Sequence, residues 1–379
     1  MPTSTTAAVA RAGADGFTWE PVVLDDPGPG EALVRLVATG LCHTDLSVLA
    51  GRLPTPLPAV LGHEGAGIVE AVGPGTQAVR PGDRVVMSFN SCGSCARCRT
   101  GRPTRCGAYF PLNFGAARPD GSTPLRGADG EPIGGLFFGQ SSLARHAVVS
   151  VQSLVPVDPA DDRELALLAP IGCGVQTGAG TVLNLLKPGP GDTLAVLGAG
   201  AVGLSAVMAA RLSGASAVIV ADRVPARLAT ARELGATHTI DTGVDDLGAS
   251  LARLTGGQGV TYVVETTGVP ALLELAVTAI TAFGTVAVIG APAAGSRASF
   301  DVNALIDGRT IRGVTEGGSD RITFIPALID LFRQGRLPYD RFVEFYPAGK
   351  LTDAVQDARL GRTVKPVIVF DDHDSEAGR

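Results

Sequence analysis

The stretch of residues 193–223, TLAVLGAGAVGLSAVMAARLSGASAVIVADR, constrains this chain more than any other. An apolar run from Thr193 to Leu197 enters Gly198, Gly200 and Gly203. An Ala/Leu-rich helical stretch follows, and a second apolar run, AVIVAD, ends on Asp222. A bare G-x-G-x-x-G is weak, but a strand before it, a helix after it and an acid closing the next strand mark a dinucleotide-binding βαβ unit. The glycines permit the tight turn and close approach to a pyrophosphate, and the helix N-terminus supplies free N–H groups. Asp222 is expected to accept hydrogen bonds from the adenosine ribose hydroxyls, and its charge to repel a 2′-phosphate. NAD is therefore expected over NADP, although Arg223 beside it pulls the other way.

The pattern continues through VTYVVETTG, GTVAVIGAP and TIRGVTEGG, so a parallel doubly wound sheet is expected over about 175–310. Before it lie short strand-like runs, EALVRLVATG, GAGIVEAVG and DRVVMSF, broken by Gly and Pro, which read as a β-rich domain. The tail run KPVIVF reads as one more strand of that domain, making the cofactor domain an insertion. The boundaries expected are 1–174 with 311–379 for the first domain and 175–310 for the second. With 45% hydrophobic and 18% charged residues, a large core is within reach and disorder is not expected. A net charge of -6 argues against a nucleic-acid partner. The N-terminal residues show no charged start followed by an apolar run, so no secretory signal is expected. The longest apolar stretch breaks at Arg211 and carries the glycine pattern, so no membrane span is expected either. Six cysteines in such a chain suit a reducing cytoplasm, where cysteine more often means metal or catalysis than disulfide.

Four of the six cluster in SCGSCARCRTGRPTRC. Cys92, Cys95, Cys98 and Cys106 follow C-x2-C-x2-C-x7-C in a polar loop with Arg97, Arg99 and Arg102. Four thiolates suit a closed tetrahedral zinc site with no room for substrate. An iron–sulfur cluster and a nucleic-acid zinc knuckle remain open on spacing alone. The other two cysteines are scattered: Cys42 in GLCHTDLS and Cys173 in APIGCGVQTG, with His63 and Glu64 in LGHEGAGIVE. One His and two Cys are the ligand types of a catalytic zinc with an open fourth position.

Together these stretches resemble the zinc-dependent medium-chain alcohol dehydrogenases, in order and over nearly the whole chain. FFGQSSLARHAVV and EGGSDRITFIPALIDLFRQGRLPYDRFVEFYP are most similar to the aryl- or benzyl-alcohol dehydrogenase branch. The resemblance implies an α/β protein: a GroES-like β-rich catalytic domain, a structural zinc lobe at about 90–108, a Rossmann cofactor domain, and an active site in the cleft between the domains. It implies two zinc ions per chain. Cys42, His63 and Cys173 match the catalytic ligands, and Cys92, Cys95, Cys98 and Cys106 the structural ones. Glu64 matches an acid that approaches the metal during ligand exchange, or else pairs with a nearby Arg. Asp45 matches the carboxylate that orients the zinc histidine, or else is a turn acid. Thr44 matches the hydroxyl that takes the substrate proton, or else caps a helix. Thr177, Gly198, Gly200, Val202, Gly203, Asp222 and Ile289 match cofactor contacts, and His43 matches a pyrophosphate contact where many relatives place Arg. Arg227 and Lys365 match basic positions near the cofactor, and equally fit solvated surface charges. Ser47 stands where relatives often carry a proton-relay histidine, and serine is no base near neutral pH. The relay is then expected to end through water or the cofactor ribose. A histidine at position 47 is expected to speed turnover at mildly acid pH if proton release limits the rate.

The implied reaction is alcohol oxidation on zinc with hydride transfer to the nicotinamide. Leu53, Phe89, Phe137, Phe138 and Ile289 are the expected pocket walls, or else core. Such walls suit a flat primary alcohol of the benzyl, cinnamyl or allylic terpenoid kind. A glutathione- or mycothiol-adduct formaldehyde dehydrogenase and a non-catalytic zinc- and NAD-binding protein are the alternatives. A homodimer or homotetramer is expected by the same resemblance. Trp19 is expected to be packing, and His146, His238 and His373 structural or exposed.

Overall fold

The run of Val, Ile, Leu and Ala in each expected cofactor-domain strand is what burial on both faces of a parallel sheet requires. The computed structural model, which describes residues 2–370, forms that sheet. Its six strands lie in the order His238–Asp241, Ala217–Asp222, Thr193–Leu197, Val260–Glu265, Ile280–Val288, Thr310–Gly313, and every pairing is parallel. The order reverses beside Thr193–Leu197, the strand that feeds the glycine turn, which is where open α/β sheets bind ligands. Helix Ala201–Ser213 is buried along most of its length and ends on Gly214 in the left-handed conformation. The stretch that could pass for a membrane span is thus one strand, one turn and one core helix. Among the described residues, no single helix is long and apolar enough to cross a membrane.

The chain divides into two compact units. One takes the chain up to Cys173, Asp320–Ile329 and the chain from Val343; the other takes Gly174–Ser319 and Asp330–Phe342. The first is β-rich. Its larger sheet runs Leu154–Pro156, Arg84–Met87, Gly65–Val72, Glu31–Gly40, Lys365–Val369, Val343–Pro347, and His146–Ser150 also pairs with Glu31–Gly40. A second, five-stranded sheet is built on Thr3–Ala10 and Phe17–Leu24. The tail run KPVIVF does return to this unit: Val367 pairs with Gly40 and Ile368 with Thr39, antiparallel. That register sets Lys365 beside the turn that carries Cys42. Trp19 packs edge-on against Phe370 and donates to the Ala348 carbonyl. His146 is held by Thr5 and Glu70, and His238 is exposed. His373 lies outside the described residues.

Candidate metal centre and cofactor loop

Helix His43–Leu49 begins at Cys42, whose backbone is extended. Asp45, fully buried at the third helical position, closes the helix start. Its Oδ2 accepts the Cys42 N–H at 2.9 Å. Its Oδ1 accepts the Gly62 N–H at 3.0 Å and lies 3.0 Å from Nδ1 of His63. Cys42 is therefore the cap residue, Asp45 closes its capping box, and Thr44 does neither. With Nδ1–H given to Asp45, the imidazole lone pair sits on Nε2. That atom is buried and has no hydrogen-bond partner in the protein. A buried polar atom left unmet is costly, so something outside the chain is required there. Sulfurs of Cys42 and Cys173 and a carboxylate oxygen of Glu64 complete the group, with all four ligand atoms within 4.8 Å of one another. This is a zinc donor set. Hydrogen bonding from Cys173 holds the Cys42 thiol well below its ordinary range; burial opposes this, and the Lys365 charge assists.

Glu64 pairs with Lys365 and not with an arginine. The ammonium donates to both carboxylate oxygens at 2.8 and 2.9 Å and to the Leu41 carbonyl at 3.2 Å. Lys365 is 2% exposed, which removes the reading of a solvated surface charge. Burial disfavours its charge, but Glu64 and Cys42 outweigh burial and raise its pKa. Around this centre, Thr44 Oγ1 lies 3.8 Å from Cys42 Sγ. His43 is exposed on the first turn, and Ser47 is buried. Phe138 stacks on the His63 ring at 4.6 Å and Phe137 meets it edge-on at 5.6 Å. Phe89 is buried further off, against Tyr109. All three phenylalanines belong to the main core, and Leu53 packs on its border. Gln140 was not singled out from sequence. Its side chain accepts from Gly65 N–H and donates to the carbonyls of His63 and Ser88, fixing the strand start that carries the ligand. A single Gln after FFG carries no local signal for that role.

The second cysteine group is also assembled. Sulfur atoms of Cys92, Cys95, Cys98 and Cys106 lie within 4.8 Å of one another. Backbone N–H groups point at them: Cys92 N–H at Cys106 Sγ and Cys95 N–H at Cys92 Sγ, each 3.4 Å. Backbone N–H groups of Cys98 and Gly107 bring Cys95 down to about 6. Burial pushes Cys98 the other way, up to about 12, so the case for a structural metal rests on the closed four-sulfur set.

In the second unit, Gly198 has φ +97°, and a Cβ there would lie 2.5 Å from Thr266 Oγ1. A Cβ on Gly203 would lie 1.9 Å from the Gly198 carbonyl oxygen, so the helix can pack only without one. A Cβ on Gly200 would meet nothing within 4 Å. That empty cradle at a helix N-terminus fits a pyrophosphate. Asp222 stands beside it, accepting from the N–H groups of Ala199 at 2.7 Å and Val224 at 2.9 Å. Arg227 has its Nε buried without a partner. Val202 is on the first turn of the helix, and Ile289 follows the strand Ile280–Val288 and donates its N–H to Glu265. Thr177 donates to Glu316 Oε2 at 3.2 Å.

Residues 28–159 match the family described as alcohol dehydrogenase GroES-like domain, and 201–333 that described as zinc-binding dehydrogenase. Geraniol dehydrogenase of Castellaniella defragrans is 44% identical over 97% of this chain and 98% of its own length. A solved benzyl alcohol dehydrogenase from Acinetobacter calcoaceticus superposes with a TM-score of 0.92 at 42% identity, covering 97% of this chain and all of that one. A Burkholderia ambifaria alcohol dehydrogenase zinc-binding domain protein gives a TM-score of 0.93 at 49% identity, over 98% of this chain and 100% of that one.

Proposed function

The chain belongs to the zinc-dependent medium-chain alcohol dehydrogenases, and on that premise we propose that it oxidises primary aromatic or allylic alcohols to aldehydes with NAD. The observation that carries the reading is the buried, unpartnered Nε2 of His63 among Cys42, Cys173 and Glu64. When bound, zinc supplies Lewis acidity toward an alcohol oxygen, and NAD accepts the hydride. Cys42, His63 and Cys173 would hold that zinc, with Asp45 setting the imidazole tautomer. Lys365 donates to both Glu64 oxygens and would compete with the metal for that carboxylate. Thr44, beside Cys42, would take the alcohol proton. Ser47 keeps its own proton and is no base. Cys92, Cys95, Cys98 and Cys106 would hold a second, structural zinc.

The β-rich unit would be catalytic, and the parallel-sheet unit would bind NAD through Gly198, Gly200, Val202, Gly203, Asp222 and Arg227, with His43, Thr177 and Ile289 as further contacts. Asp222 favours NAD by repelling a 2′-phosphate. The aromatic pair Phe137 and Phe138 on the His63 ring supports a flat apolar substrate, as do the geraniol and benzyl alcohol activities named for the two relatives. Leu53 and Phe89 would shape the apolar surroundings. Free cysteines throughout the chain suit the cytoplasm, and the family suits a homodimer or homotetramer. The test is NADH formation by zinc-replete protein with benzyl alcohol, geraniol and ethanol at matched concentration. The reading expects a large preference for the first two; equal or absent turnover with all three would overturn it.

A further inference from the structure

Arg321 opens helix Arg321–Arg333 and is 3% exposed. Its Nη2 donates to Ser91 Oγ at 3.2 Å and Gln152 Oε1 at 3.4 Å, and its guanidinium lies 4.9 Å over the Phe89 ring. Its Nε and Nη1 are buried with no hydrogen-bond partner. No carboxylate among the described residues forms an ion pair with it, and the neighbouring Asp320 is engaged by the Ile322 N–H. Asp320 acts on it without an ion-pair contact, and a buried cation with no contacting counter-charge is unfavourable, which leaves a place for a further anion. Both of its oxygen partners belong to the base of the cysteine lobe. Ser91 precedes Cys92, and Gln152 Oε1 would lie 2.9 Å from a Cβ on Gly93.

A divalent metal on four thiolates carries a net charge of minus two. We propose that Arg321 is the buried counter-charge of the metal-loaded Cys92, Cys95, Cys98 and Cys106 cluster, and that it slows loss of metal from that lobe. The proposal rests on the reading that the lobe holds zinc. Residues 91–110 contain four arginines and no acid, which agrees with an anionic centre. Arg97, Arg99, Arg102 and Arg105 are exposed, so water and salt screen them. Arg321 is buried, where the same charge acts through a lower dielectric. Burial lowers the Arg321 pKa and Asp320 opposes it, but a guanidinium stays charged either way, so its need is for a counter-charge.

The experiment follows zinc release from the full-length holoenzyme to a chromogenic chelator, in wild type, Arg321→Met, Arg321→Gln and Arg321→Lys. Elemental analysis of the wild type comes first. One zinc per chain whose release tracks loss of alcohol oxidation would show that the lobe holds none, and would overturn both the zinc reading and the counter-charge; one zinc whose release does not track it belongs to the lobe and is followed in the same variants. With two, the release phase that tracks loss of alcohol oxidation belongs to the Cys42 site, and the other to the lobe. The neutral variants should release lobe zinc about tenfold faster or more, with the Cys42 phase unchanged, and Arg321→Lys should stay close to wild type. Wild-type rates in Arg321→Met and Arg321→Gln would overturn the proposal. So would Arg321→Lys releasing as fast as they do, because the role would then be packing. Should Arg321→Met not fold, the Gln and Lys pair makes the same comparison.

Discussion

Asp45 Oδ1 stands 3.0 Å from Nδ1 of His63, and both side chains are fully buried. The same carboxylate also receives the N–H groups of Cys42 and Gly62. Three donors converge on it, and Cys42, one of the two cysteines of the candidate centre, is placed by one of them. An asparagine there would turn an NH2 toward at least one N–H. Asp45→Asn is expected to lower zinc retention or turnover by roughly 10- to 100-fold. Zinc content and kcat of the purified variant check this, and wild-type values for both would remove Asp45 from the centre.

The Glu64–Lys365 pair is sealed from water, with side chains 0% and 3% exposed. Lys365→Met leaves a buried carboxylate without its counter-charge and is expected to cost about 3–5 kcal/mol in denaturant unfolding. Adding Glu64→Gln should recover much of that loss, since an unpaired buried charge is worse than none. A double variant no more stable than Lys365→Met alone would contradict the account.

Gly200 and Gly203 separate stability from cofactor affinity. Gly203→Ala drives a methyl into the Gly198 carbonyl and should destabilise the chain by about 1–3 kcal/mol. Gly200→Ala adds a methyl to open space and should leave stability within about 0.5 kcal/mol. It should nonetheless weaken NADH binding about tenfold or more, because that space is where the phosphates are proposed to sit. Fluorescence titration with NADH beside thermal unfolding tests both. Normal NADH affinity in Gly200→Ala would place the cofactor elsewhere.

Asp222→Asn keeps one of the two acceptors that meet the loop N–H groups and removes the charge. The NADP-to-NAD ratio of kcat/KM is expected to rise by about tenfold or more, since a like-charge contact costs more than a kcal/mol. An unchanged ratio would mean that Asp222 does not set the preference.

The glycine loop and Asp222 were legible because their signal is local. Each glycine answers to a backbone angle or a carbonyl within a few residues, and Asp222 ends the strand paired beside the loop. The four-cysteine lobe was legible for the same reason, its ligands falling within one short stretch. Cys42, His63 and Cys173 were each ambiguous alone, and only the family resemblance joined them. From sequence alone Lys365 fits a basic position near the cofactor or a surface charge, and its pairing with Glu64 is hidden because the two lie 301 positions apart. Arg321 carries no local signal, its contact with Ser91 spanning 230 positions.

The sequence by itself determined the parallel sheet, the glycine turn and the inventory of candidate metal ligands, because periodicity, turn geometry and ligand spacing act over a few residues. Only the tertiary structure decided which charge faces which. The tail strand, registered against Glu31–Gly40, brings Lys365 to Glu64, and the helix after Ser319 brings Arg321 under the cysteine lobe. Buried charges choose partners by what packing leaves within reach, and that choice has no local signature in the chain.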